Sequence, residues 1–313
     1  MSVEVRPQAQ GQEENLQQLV ESLASLHDME RTTLRLMACG RAAVPALRAF
    51  LFRVDPSGTY EPRCWAARAL GRIGAHEVLV EFLNREHSCS DPVAQLGEEA
   101  VVHTAARSLA AVTSEEAYQS LLRVARWRSL AGPIEVLGEY RRPEVIPVLI
   151  RALEDDAARS SAEGALSNFG ESVGPALFQA SIRKEPTPDH ESPSSVLRRR
   201  SALRLLTETR TAAHFWRELR ELMHDRDFLV QARACRIGLD CGNEAEKANA
   251  GLRLVRLLSV ANGYVRSEIE DALIHHFEAV REIVEEHLKQ EDTVASRRSL
   301  TRVVRLATSA TDH

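Results

Sequence analysis

Leu36-Met37-Ala38-Cys39-Gly40-Arg41-Ala42-Ala43-Val44-Pro45-Ala46-Leu47 aligns without a gap on Leu166-Ser167-Asn168-Phe169-Gly170-Glu171-Ser172-Val173-Gly174-Pro175-Ala176-Leu177. The shared frame is Leu, then Gly four residues on, then Pro-Ala-Leu from nine residues on. Each position has a physical reading. The first Leu is the last buried position of a helix. Gly supplies the left-handed residue past the helix end, a conformation that is costly for other L-residues. Pro falls in the first turn of the next helix, where its missing N–H costs nothing. The final Leu opens the next apolar face. The frame is a helix–turn–helix junction, and the chain contains it twice.

A second frame surrounds the same Leu. Its best copy is Arg63-Cys64-Trp65-Ala66-Ala67-Arg68-Ala69-Leu70-Gly71, with weaker copies at Thr104–Ala110, Ser161–Leu166 and Ser201–Leu206. Small residues recur at helical spacing, so one face of this helix lies close to its neighbours. The anchors Leu36, Leu70, Leu109, Leu137, Leu166, Leu205, Ile237 and Leu273 stand 34, 39, 28, 29, 39, 32 and 36 residues apart. A period of this length is the mark of stacked supersecondary units. The expected fold is an all-α solenoid of about nine helical pairs, with a disordered tail over 1–12, one repeat domain over 13–308 and a short tail over 309–313.

Composition agrees. The 313 residues are 44% hydrophobic but only 5% aromatic, with Ala, Leu and Arg abundant, which favours helix over strand. The formal net charge of −5 argues against a dedicated nucleic-acid binder, although a local basic stripe remains open. No apolar run approaches the roughly 20 residues of a membrane helix. The five cysteines, Cys39, Cys64, Cys89, Cys235 and Cys241, are odd in number and irregularly spaced. They point to a reduced, cytoplasmic protein, with most of them expected in the core.

The Ala-Ala-x-Ala-Leu-Gly core at 66–71, followed by Ile73-Gly74 and a new helix, resembles the HEAT-like repeat of the phycobilisome-lyase type. The stretch Arg142-Pro143-Glu144-Val145-Ile146-Pro147-Val148-Leu149-Ile150-Arg151-Ala152-Leu153-Glu154-Asp155 resembles the first helix of such a repeat, and Arg63, Arg159 and Arg266 match its Arg at the start of the second helix. The resemblance covers about 30 to 305. It implies a fold far more than a function, because unrelated proteins share these repeats.

Deoxyhypusine hydroxylase, an iron enzyme built on HEAT repeats, carries paired His-Glu motifs at the start of second helices. Here those positions hold Cys64-Trp65, His103-Thr104, Ser160-Ser161 and Ser267-Glu268, while His76-Glu77 and His190-Glu191 fall elsewhere. His275-His276 would point about 100° apart on a continuous helix. Cys235 and Cys241 lack further zinc ligands nearby, and no Gly-x-Ser-x-Gly elbow or Gly-rich phosphate loop occurs. No catalytic, metal or cofactor residue is therefore assigned. Arg198-Arg199-Arg200 with Arg204, Arg123-Arg126-Arg128, and Arg297-Arg298 with Arg302 and Arg305 are the candidate basic stripes. Charge runs of this kind are more often solvated faces.

The two long intervals carry excess residues between the first and second helices of a unit, at about 84–97 and 183–195, both rich in Pro, Ser and charge. Equivalent turns of a solenoid share one rim, often the binding rim. The second helices are expected to line a concave surface. His103, Arg107, Glu135, Glu139, Tyr140 and Arg159 are the candidate partner contacts, with Tyr140 as anchor. The expected function is a non-enzymatic scaffold for a protein partner. The alternatives are a bilin-lyase-like or lyase-chaperone protein, and nucleic-acid binding through the Arg stripes.

Overall fold

The computed structural model describes residues 15–25, 28–53, 59–187, 190–291 and 293–311. The tail expected over 1–12, the last two residues and Pro188-Asp189 of the second insertion lie outside them. The chain packs as two compact units. One runs up to Ala152 and takes in Asp156–Asn168; the other comprises Leu153–Asp155 and the chain from Phe169 on.

In the first unit the helices are α1 (15–21), α2 (Met29–Ala38), α3 (Val44–Leu51), α4 (Glu61–Ile73), α5 (His76–Leu83), α6 (Pro92–Arg107), α7 (Glu115–Trp127), α8 (Ala131–Tyr140), α9 (Ile146–Ala152) and α10 (Arg159–Ser167). The even-numbered helices α2 to α10 pack side by side in one row. Behind it, α3 packs on α4, α5 on α4 and α6, α7 on α8, and α9 on α10. The second unit contains α11 (Gly174–Ile182), α12 (Pro193–Glu208), α13 (Trp216–Leu219), α14 (Phe228–Cys241), α15 (Glu244–Leu257), α16 (Gly263–His275), α17 (Phe277–Gln290) and α18 (Val294–Thr311). Here α12, α14, α16 and α18 form the row, with α11, α13, α15 and α17 behind it. Among the described residues the sole β pairing is a bridge between Pro186 and Glu191. This is the all-α stacked-pair architecture that the sequence periodicity predicts.

The anchors are where the pattern puts them. Leu36, Leu70, Leu109, Leu137, Leu166, Leu205, Ile237 and Leu273 are all fully buried. Ala66, Ala67, Ala69, Ala105, Ala106 and Ala162 are buried as well, and their small side chains let neighbouring helices of the row approach. The junctions behave as read: Gly40 and Gly170 have φ of 58° and 56°, each opens a short 3-10 turn, and Pro45 and Pro175 lie in the first turn of the helix that follows. At two junctions without Gly the backbone turns left-handed anyway. Arg141, four residues after Leu137, has φ of 50°, and Arg210 has φ of 57°. Arg210 lies four residues after Leu206, also fully buried, so the junction at α12 counts from Leu206 rather than Leu205. Leu109 falls in the turn after α6 rather than on the helix.

The insertions differ from expectation. Residues 92–97 and 193–195 are helical, forming the first turns of the two 16-residue helices α6 and α12. The reason is local: Asp91 and Ser192 accept hydrogen bonds from the backbone N–H groups of Ala94 and Ser195, and Pro92 and Pro193 take the first helical position. Six residues of the first insertion and three of the second therefore lengthen a helix. The cysteines differ too. Cys64 and Cys235 are buried, but Cys39 and Cys89 are exposed because one ends α2 and the other lies in the first insertion.

Candidate functional site

The face of the first unit's even-numbered row collects the residues singled out from sequence. His103 and Arg107 project from α6, Glu135, Glu139 and Tyr140 from α8, and Arg159 opens α10. The contact between α6 and α8 is close because position 132 has no side chain: a Cβ there would stand 2.4 Å from the carbonyl oxygen of His103. That approach lets Gly132 N–H donate to His103 Nδ1 at 2.9 Å. With Nδ1 accepting, the neutral ring carries its proton on Nε2. Burial, then the Arg107 charge, hold His103 below the usual imidazole range, with Arg68 adding to them and Glu135 opposing.

Arg107 makes a 3.4 Å ion pair with Glu135, and both are exposed. Glu139 is exposed one turn further along α8. Arg159 pairs with Asp156 at 2.5 Å. Tyr140 faces elsewhere: its hydroxyl donates to Val112 O at 2.5 Å, its ring centroid lies 5.2 Å from that of Tyr118, and the Arg142 guanidinium sits 4.1 Å over Tyr118. The structure thus brings His103, Arg107, Glu135 and Glu139 onto one surface and uses Tyr140 to close the end of α8.

Two adjoining clefts lie on this face. One, of about 440 Å³, is bordered by Arg68, Arg72, His103, Thr104, Arg107 and Ser108. The other, of about 620 Å³, is bordered by Tyr60, Trp65, Arg68, His103, Leu130 and Ala131, among others. Arg68, His103 and Thr104 belong to both. Sequence reasoning missed Tyr60, Trp65, Arg68 and Arg72. The available signal was helical spacing: 61, 65, 68 and 72 make one face of α4, opposite its Ala face. Cys64 also borders the second cleft, but burial raises its thiol above the ordinary range, which disfavours the nucleophilic thiolate.

Beneath the surface sits a buried triad that sequence reading also missed. Arg63 donates from Nη1 to Glu98 at 2.7 Å and from Nε to the carbonyl of Leu51, the last residue of α3, at 2.9 Å. His87 Nδ1 lies 2.7 Å from the other Glu98 oxygen. Burial pushes Glu98 upward, but the hydrogen bonds from His87 and Arg63 prevail and hold its carboxyl at about 2.

In the second unit the Arg198-Arg199-Arg200 run is neither a solvated face nor a free basic stripe. Arg199 is fully buried, donating to Ser181 O at 2.9 Å, Glu191 at 2.7 Å and Asp225 at 2.6 Å. Arg198 binds Glu154, Glu185 and the carbonyl of Arg183; Arg200 binds Asp227 at 2.5 Å. Burial raises Asp225, but Arg199, Lys184 and the Asp227 N–H hold it at about 2. The same duty recurs elsewhere: Arg151 donates to the carbonyls of Ala125 and Arg126 near the end of α7. Helix C-termini leave carbonyls without intrahelical partners, and guanidinium forks satisfy them. Much of the chain's arginine is committed in this way. Because Glu185 and Glu191 serve buried arginines, the second insertion is built into the unit.

Asp240, His275 and His276 bring ligand atoms within 4.8 Å of one another. The sequence argument against the His pair assumed a continuous helix, whereas α16 ends at His275 and His276 caps it, which re-aims the second ring toward Asp240 at 3.0 Å. These three donors, with His276 half-buried, fall short of the four that a structural zinc site uses. Among the described residues no helix is long and apolar enough to cross a membrane.

The family model of the PBS lyase HEAT-like repeat matches residues 62–84, which span α4 and α5. No curated protein matches the chain. The matched residues are mainly the packing face of one helical pair, so the likeness concerns the repeat and its fold.

Proposed function

We propose that the chain is a non-enzymatic, cytoplasmic protein-binding scaffold. Its partner lies along the even-numbered row of the first unit, contacting His103, Arg107, Glu135 and Glu139, with Tyr140 and Arg159 at the margin. The observation that carries this reading is the pair of adjoining clefts on that face. They hold exposed cations, the exposed acid Glu61 and a partly exposed Trp65 in a chain whose buried polar groups otherwise serve packing. Repeat stacks present such faces to extended partners. A bilin-lyase-like role remains the runner-up, testable by bilin transfer to candidate acceptor proteins, but the matched repeat lends it packing residues alone.

The test is affinity capture with the full chain, followed by cross-linking and mass spectrometry. Cross-links from the partner to α4, α6 and α8 support the reading. Cross-links confined to the arginine-bearing helix α18 or to the odd-numbered helices contradict it.

A further inference from the structure

The smaller cleft gathers Arg68, Arg72, Arg107 and His103 along one border. Asp and Glu outnumber Lys and Arg by 45 to 40, and nearly every arginine that reaches a neighbouring helix finds a carboxylate or a carbonyl. Arg68 and Arg72 are exposed on α4 and have no carboxylate partner among the described residues. Arg107 has only the exposed 3.4 Å pair with Glu135. Three guanidiniums and the His103 ring thus border one cleft of about 440 Å³ with no acid in its lining. A cation cluster with a single weak ion pair is self-repelling, and an anion relieves that repulsion.

The cluster is also partly fixed in place. The Arg68 guanidinium lies 4.7 Å over the Trp65 ring, which holds its plane while leaving its N–H edge free. The hydroxyls of Thr104 and Ser108 donate to the backbone of their own helix, so the ligand's contacts fall to the guanidiniums and the His103 N–H. Next door, Trp65, Tyr60, Leu130 and Ala131 border the larger cleft, and Tyr60 is 42% exposed.

Acids bound the cluster on both sides. Glu135 and Glu139 follow on α8, and Glu61 lies at the far end of the larger cleft. A nucleic-acid backbone carries a charge at every phosphate and would meet these carboxylates on leaving the arginines. A short segment with a few carboxylates would not. We infer that this face binds an acidic peptide segment of a protein partner, its carboxylates held by Arg68, Arg72 and Arg107 and an adjacent apolar residue seated against Trp65. This rests on the scaffold reading above and adds the chemistry of the partner.

The experiment is a selection of displayed random 12-residue peptides against the full chain, with the best binders resynthesised and measured by fluorescence anisotropy at low salt. The expected binders carry several Glu or Asp beside an apolar residue. Their affinity falls at least tenfold for R68E/R72E and severalfold for W65A, and is unchanged for R123E on the exposed face of α7. All four residues are exposed or partly exposed, and equal melting temperatures check folding. Binders without acidic bias, binders indifferent to R68E/R72E, or no enrichment at all would overturn the inference. So would single-stranded RNA of about 20 nucleotides binding as tightly and losing as much affinity on R68E/R72E, which would make the site a phosphate site. Cross-links from a captured partner to α4, α6 and α8, together with any of these results, would leave the scaffold reading standing and remove this one alone.

Discussion

Glu98→Gln is the most informative perturbation of the buried interior. Glu98 is 6% exposed and holds both Arg63 and His87. Its carboxyl is held at about 2, against an ordinary 4.5. At 1.36 kcal/mol per pKa unit that depression corresponds to about 3 kcal/mol of stability at neutral pH. The sign follows from the direction of the shift. The folded pKa is below the unfolded one, so the contribution is complete above about 4.5 and is lost as pH falls toward 2. Gln keeps the shape and removes the charge, leaving Arg63 buried without a counter-charge, a loss of about 3–5 kcal/mol. With a urea m-value of about 2 kcal/mol/M, the midpoint at pH 7 should fall by about 1.5–2.5 M. Between pH 5 and pH 3 the variant should lose less stability than the parent. A second variant, R63M/E98L, removes both charges and should recover most of the loss, since apolar replacement of a buried pair is often neutral or better. Urea denaturation followed by circular dichroism reads all three. An E98Q midpoint equal to that of the parent, or R63M/E98L less stable than E98Q, would refute the reasoning.

Leu70→Ala and Leu166→Ala each remove a fully buried anchor of the even-numbered row and should cost about 2–5 kcal/mol; melting curves within error of the parent would mean the register is wrong. Arg141→Gly and Arg210→Gly relieve a left-handed backbone at a side chain that disfavours it, and each should stabilise by about 1 kcal/mol, seen as a rise of about 2–4 °C in Tm. Asp240, His275 and His276 offer only three donors, so elemental analysis of protein purified without chelators should find no stoichiometric zinc or iron. One equivalent of metal, lost in His275→Ala, would contradict this.

The fold was legible because it rests on short-range pattern. Leu four residues before Gly and nine before Pro states the end of one helix and the start of the next, and Gly40 and Gly170 adopt the backbone that pattern requires. Arg141 and Arg210 escaped notice because neighbouring packing forces the same conformation on residues that do not favour it. The surface proposed for the partner was legible in part. His103, Arg107, Glu135 and Glu139 follow from helix periodicity once the second helix of each unit is known. Tyr140 did not follow, because the carbonyl of Val112 that takes its hydroxyl is 28 residues away. The Arg198-Arg199-Arg200 run was misread for the same reason, whereas the runs at Arg123-Arg126-Arg128 and Arg297-Arg298 are exposed as expected. Arg199 meets Ser181, Glu191 and Asp225, partners 18, 8 and 26 residues away, and charge spacing along one helix carries no trace of them.

The central claim is that a protein partner binds the even-numbered row of the first unit. The most direct measurement is the affinity of the captured partner for R107E/E139K, with the melting temperature of the variant measured alongside. Both residues are exposed, and the surface pair that Arg107 makes is worth at most about 1 kcal/mol, so folding should be nearly unchanged. The account predicts at least a tenfold loss of affinity at an unchanged melting temperature. Affinity equal to that of the parent, in a variant that melts normally, would contradict it and move the site off this face.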